Sequence, residues 1–174
     1  ACGKSPKNPL SGLAIRGIAF EHSAHNPPAN WRQNTQAAIT LGGALYFDCV
    51  ENLEFENNTV RHTNTYGLEV GHGSKNVRIS QNEFFDNGCG GVRIGDAPNP
   101  KLSKNDISRN IAVRDNIIYR YGRYDKAGVG VLYLDVHDIS VEHNTIFDGF
   151  YTGVSGGWML GAMLLIIAVC KPLR

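Results

Sequence analysis

A unit of about two dozen residues is written twice in the middle of this chain, and few folds can accept such a pattern. Residues 52–73 read NLEFENNTVRHTNTYGLEVGHG and residues 76–97 read NVRISQNEFFDNGCGGVRIGDA. Set one under the other, Leu53 meets Val77, Phe55 meets Ile79, Asn58 meets Asn82, Val60 meets Phe84, Gly67 meets Gly91 and Val70 meets Ile94. Each step is the same, as 91 − 67 = 24 shows for the glycines. Apolar residues two apart, then Asn, then a glycine-led apolar pair, repeated at a fixed period, mark a β-solenoid. One unit cannot bury its own apolar side, so the units must stack.

The rest of the chain fits the same ruler. A third copy begins at Asn110, delayed by a Pro-, Asn- and Lys-rich interruption over 96–109. A fourth runs over 138–158, with Asn144 and Gly153 on the marks, and a weaker copy covers 17–23 before a polar excursion to about Gly42. The pattern predicts an all-β fold, a right-handed parallel β-helix (a single-stranded solenoid) of about four to five rungs with roughly three short strands each. Its core should hold Leu53, Phe55, Val60, Leu68, Val70, Val77, Ile79, Phe84, Val92, Ile94, Val113, Ile118, Val141 and Ile146.

At 174 residues there is room for one domain with a sizeable core. A net charge of +1 gives no footprint for nucleic acid or for an anionic membrane surface. The four cysteines show no CxxC or Cys/His spacing, so no zinc site and no cofactor is expected; Cys49 and Cys89 read as small buried hydrophobes. Both ends suggest a fragment: residues 1–158 form a partial β-helix domain, and 159–174 an apolar tail outside the repeat. The run 159–170 lacks a period of two, so no further strand set is expected from it. It is also short of the roughly 20 residues that span a membrane.

Two columns stand out once rungs are stacked. Asn58, Asn82, Asn116 and Asn144 follow the first strand of each rung, and their amides should bond from rung to rung as a structural ladder. Five residues past Gly67, Gly91, Gly130 and Gly153 stand His72, Asp96, Asp135 and Trp158. Carboxylates on neighbouring rungs repel, so one of the pair should hold a proton and serve as general acid while the other acts as base or nucleophile. In the plainer reading of the same residues, Asp96 caps the loop and Asp135 is a turn aspartate. Counted back from Asn144, moreover, the column falls on Leu134 rather than Asp135. A further column, His62, Asp86, Arg120 and Asp148, reads as a surface ion-pair ladder, with His62 beside Tyr66 its least bland member.

The segments FEHS (20–23), ALYFDCVENLEFENN (44–58), RHTNTYGLEVGHGSKN (61–76), GGVRIGD (90–96), AGVGV (127–131) and HNTIFDGFYTGVSGGW (143–158) carry a resemblance. Together they resemble bacterial right-handed β-helix carbohydrate-active proteins, glycoside hydrolase family 141 and relatives in particular. The resemblance implies a secreted or periplasmic enzyme acting on plant cell-wall glycans, with α-L-fucosidase and xylanase activities in the family. It places the paired catalytic aspartates at Asp96 and Asp135. The chain departs from the family where YTGVSGGW gives way to the apolar tail.

Three function classes follow. A glycoside hydrolase would use Asp96 and Asp135, with His72, Trp158, His62, Tyr66 and Arg93 as substrate-binding candidates. A polysaccharide lyase would need a basic residue, for which Arg93, Arg120 and Arg123 are available. A non-catalytic glycan-binding solenoid would need only the exposed face. The expected partner is a polysaccharide or oligosaccharide, with no nucleic acid, no membrane span and a monomeric state.

Overall fold

The computed structural model describes residues 1–24, 36–96, 103, 106–157 and the backbone of 164–170. Short strands lead in: β1 (Leu10–Ser11), β2 (Ala14–Arg16) and β3 (Ala19–Glu21). The first full rung holds β4 (Gly43–Phe47), β5 (Val50–Glu56) and β6 (Thr59–Arg61). It is followed by β7 (Tyr66–Val70), β8 (Lys75–Ser80) and β9 (Glu83–Phe85), then β10 (Val92–Ile94), β11 (Ser108–Arg114) and β12 (Ile117–Tyr119). Finally come β13 (Val131–Leu134), β14 (Val136–Phe147), β15 (Val154–Gly157) and β16 (Leu164–Cys170). Every pairing between these strands is parallel, and each strand stacks on its counterpart one rung away.

The chain closes a rung because single residues adopt the left-handed conformation at the corners. Asn52, Asn76, Asn110 and Asp138 have φ of 55°, 53°, 53° and 52°. Asn57, Gln81, Asp115 and His143 do so at a second corner, and His62, Asp86, Arg120 and Asp148 at a third. Short polar side chains tolerate this region best, which explains why Asn and Asp recur at fixed spacing. The first and second corners bend the wall so gently that β14 runs through both as one strand, joining two walls into an eleven-stranded sheet. The third wall is the five-stranded sheet β15-β13-β10-β7-β4.

Alternation along each strand sends one set of side chains inward, and all fourteen expected core residues lie in a single buried cluster. The outer face of the five-stranded sheet is covered as well. There Ala37, Ala38 and Leu41, around a 3₁₀ turn at Gln36–Ala38, pack on Tyr66, Cys89, Val129, Leu132 and Leu134. Close stacking explains the leading glycines: a Cβ on Gly91 would stand 2.6 Å from the Gly130 carbonyl oxygen and 2.7 Å from Ile118.

The asparagine ladder is present and wholly buried. Backbone N–H groups of Asn58, Asn82 and Asn116 donate to the side-chain oxygens of Asn82, Asn116 and Asn144 at 2.9, 2.9 and 3.0 Å. Each amide nitrogen also donates to the oxygen above it and to a carbonyl of the rung below, as Asn82 does to Phe55 at 2.9 Å. The left-handed residue is the one before each ladder asparagine, so the ladder residue itself is free to point inward.

At the end of the chain a single strand forms where no further strand set is expected, and among the described residues it does not make a full rung. Residues 164–170 pair in parallel with β14, from Ile139 against Leu164 to Ile146 against Cys170, with a slip between Glu142 and Asn144. The apolar tail therefore does add a strand to the sheet. A parallel strand does not require apolar and polar residues to alternate, so the missing alternation over 159–170 does not argue against one.

Asn82→Ala should strand the Asn58 N–H and the Phe55 carbonyl inside the protein, at a cost of about 2–4 kcal/mol. Asn76→Gly, in the exposed outer row and able to keep the left-handed φ of 53°, should cost about 0.5 kcal/mol or less. Urea denaturation of both variants checks the difference.

Candidate active site

Register converts sequence counts into a column. Phe47 pairs with Val70, Val70 with Ile94 and Ile94 with Tyr133. Two residues on from these stand Cys49, His72, Asp96 and Asp135, one per rung. On the far side of the corner, Glu51, Lys75, Arg109 and His137 are aligned. The intervening segments are 48–50, 71–74, 95–108 and 134–136, so the Asp135 corner is one residue shorter than the His72 corner. This deletion is why counting back from Asn144 lands on Leu134. Asp135 itself takes up the sharp bend with φ of 42°, as Cys49 does with 49°.

His72, Asp96 and Asp135 line one small cavity of about 10 Å³, together with Gly95, Asp106, Ile107 and Ser108. Three of the four column residues are thus brought together, and the described part of the long loop forms a wall beside them. Trp158 lies outside the described residues. A second cavity, of about 290 Å³, is lined by Gln36, Ala37, Leu132, Leu134, Ser155, Gly156 and Gly157. The two are lined by consecutive residues, Leu134 in the larger and Asp135 in the smaller.

Arg93 projects from the covered face of β10 and is 5% exposed. It forms an ion pair with buried Glu69 and a second with Asp96 at 3.1 Å, and it donates to the Ile39 carbonyl at 3.4 Å. The Gly43 N–H donates to Glu69 Oε2 at 2.6 Å. Burial pushes the Glu69 carboxyl above its ordinary value, against the pull of Arg93 and of that N–H. Burial, with the charges of Asp48, Glu69 and Asp96 nearby, likewise raises the Tyr46 phenol. Arg93 thus serves as an internal clamp that fixes Asp96, and does not stand free to meet a ligand.

Beside the cleft, His72 Nδ1 stands 2.7 Å from Asp48 Oδ1, and its Nε2 stands 3.9 Å from Cys49 Sγ. Burial, with Asp48 alongside, pushes the Cys49 thiol up to about 11.

Two further candidates sit elsewhere. Tyr66 is fully buried, and its hydroxyl donates to the Ala37 carbonyl at 2.8 Å and accepts from the Val129 N–H at 3.3 Å. It is a core residue and cannot meet a substrate, because the covering segment closes over its face of the sheet. His62 is exposed at another corner, stacked on His22 with ring centres 5.1 Å apart and 3.9 Å from Asp86. It does not line the acidic cleft. The expected surface ladder forms in part there, with Arg120 on Asp86 at 2.6 Å.

Sequence reading overlooked Asp48, Glu69 and Asp106. A signal existed for Glu69: it shares a repeat position with Arg93, since 93 − 69 = 24, so opposite charges meet inside otherwise apolar strands. Asp106 lies in the interruption, where the ruler has no marks.

A parallel β-helix with an acidic corner beside a shallow groove defines the class. A family model for the right-handed β-helix region matches residues 43–157, and the chain belongs to that family. Comparison with curated proteins and with solved structures returned no match.

Arg93→Met should leave Glu69 buried without its cation and cost about 3–5 kcal/mol at neutral pH. An acid whose folded pKa is raised binds its proton more readily folded than unfolded, so its contribution is present at low pH and lost as pH rises through the folded value. The variant should therefore fall furthest behind the parent at neutral pH and recover part of the gap in mild acid, as read from urea midpoints.

Proposed function

We propose that the protein is a secreted glycoside hydrolase acting on plant cell-wall glycans, with Asp96 and Asp135 as its catalytic pair. The observation that carries this reading is the shared cleft, in which two carboxylates on adjacent rungs stand with His72 between a loop wall and a groove. A cavity of about 10 Å³ admits no sugar ring, so the glycan lies in the neighbouring groove and across the corner. Arg93 orients Asp96 as the carboxylate that attacks the anomeric carbon or activates water. Asp135, which makes no ion pair among the described residues, delivers the proton to the leaving oxygen. His72, 34% exposed at the side chain, is placed to hydrogen-bond a sugar hydroxyl. Lyase chemistry is disfavoured because Arg93 is held by the carboxylates of Glu69 and Asp96 and Arg120 pairs with Asp86 at another corner.

Release of reducing ends from a panel of plant cell-wall polysaccharides, and of aryl groups from α-L-fucosides and β-xylosides, tests the reading. Asp96→Asn and Asp135→Asn should each lower turnover at least about 100-fold while melting within a few degrees of the parent. Glycan binding without cleavage by the parent chain would overturn catalysis and leave a binding solenoid.

A further inference from the structure

The corner next to the cleft holds two groups that the hydrolytic reading does not use, Asp48 and Cys49, against the His72 that it does. Asp48 and Cys49 stand on the rung before His72, and the two rungs are locked by the Cys49 N–H donating to the His72 carbonyl at 3.0 Å. One ligand atom from each of the three residues lies within 4.8 Å of the others. Cys49 Sγ is 3.9 Å from His72 Nε2 and 3.7 Å from Asp48 Oδ2. Asp48 Oδ1 is buried with no donor aligned on it, although His72 Nδ1 is 2.7 Å away.

From this geometry we propose that Asp48, Cys49 and His72 bind a zinc-class divalent cation. Zinc takes thiolate at about 2.3 Å and imidazole at about 2.0 Å, so two such ligands at a tetrahedral angle stand about 3.5 Å apart. The two separations from Cys49 Sγ need to close by only a few tenths of an ångström, and the imidazole and carboxylate ligand atoms lie within 4.8 Å of each other. One thiolate, one imidazole and one carboxylate are a donor set suited to a borderline-soft ion and poorly suited to calcium or magnesium. A three-ligand site leaves a fourth position, and His72 gives it a route to solvent. The same trio has the order of a nucleophilic triad, but Cys49 is 3% exposed and offers no face to a substrate carbonyl. Binding transfers the Cys49 proton to solvent and leaves the net charge of the occupied site one unit more positive. The sequence hides this site because Asp48 and Cys49 are adjacent while His72 is 23 residues on, a spacing that only the stacked rungs bring together.

The test titrates the intact, metal-stripped chain with Co²⁺ and then Zn²⁺. Expected are one cobalt per chain, a near-ultraviolet thiolate-to-cobalt band, and loss of that band as zinc displaces cobalt. Cys49→Ser should weaken cobalt binding by more than about 100-fold, beyond the loss that an outer-shell partner produces. In the unaltered chain, zinc binding should release about one proton per metal, read by calorimetry in buffers of different ionisation enthalpy, and this holds whether or not the serine variant folds. Absence of the thiolate band, a band unchanged in Cys49→Ser, or zinc uptake without proton release would each overturn the proposal.

Discussion

The amide chain of Asn58, Asn82, Asn116 and Asn144 sets the frame on which every other column hangs. A parallel sheet alone fixes the distance between strands but allows them to slide in register. Here each asparagine satisfies one backbone N–H on the neighbouring rung and one carbonyl behind it, and a shift of one residue would break both bonds at every level at once. Because these groups are buried, water cannot replace what a slip would lose. The same registration stacks Phe85, Tyr119 and Phe147 on the surface, with ring centres 5.1 and 5.0 Å apart.

Charge on the third wall is handled in a different manner. Glu69 and Arg93 lie beneath the segment around Ala37, in surroundings where a lone ion would be costly, and each neutralises the other. The arginine has a second branch, and it reaches Asp96 at the surface. A buried pair therefore anchors a partly exposed carboxylate, which gives that carboxylate a fixed position without covering it. The acidic corner as a whole, with Asp48, Asp96, Asp106 and Asp135 about one imidazole, gains its shape from stiff neighbours.

Much of this was legible in the sequence because stacking turns equal counts into contact. The inward residues and the ladder followed from the period, and so did the grouping of His72, Asp96 and Asp135. What escaped had physical reasons. Tyr66 looked like a surface aromatic because the residues that cover it belong to the polar excursion, which follows no period. Cys49 belongs to the same column as His72, Asp96 and Asp135, but its rung opens with Ala44 where the later ones have glycine, so the count has no starting mark. Alternation is no guide to the tail, because it marks only strands with one wet face and a parallel strand can form without it.

The corner that precedes β5, β8, β11 and β14 is, with the turn that leads into β4, β7, β10 and β13, one of two places where chain length varies between rungs. It spans the segments 48–50, 71–74, 95–108 and 134–136, yet the strands on either side keep the same partners throughout. A solenoid of this kind divides its labour between a wall that must never change length and a hinge line that can. Insertions there rewrite the surroundings of the acidic residues while the scaffold goes on reading the same count. New specificity can thus be grafted on one rung at a time, with no other part of the protein needing to adjust.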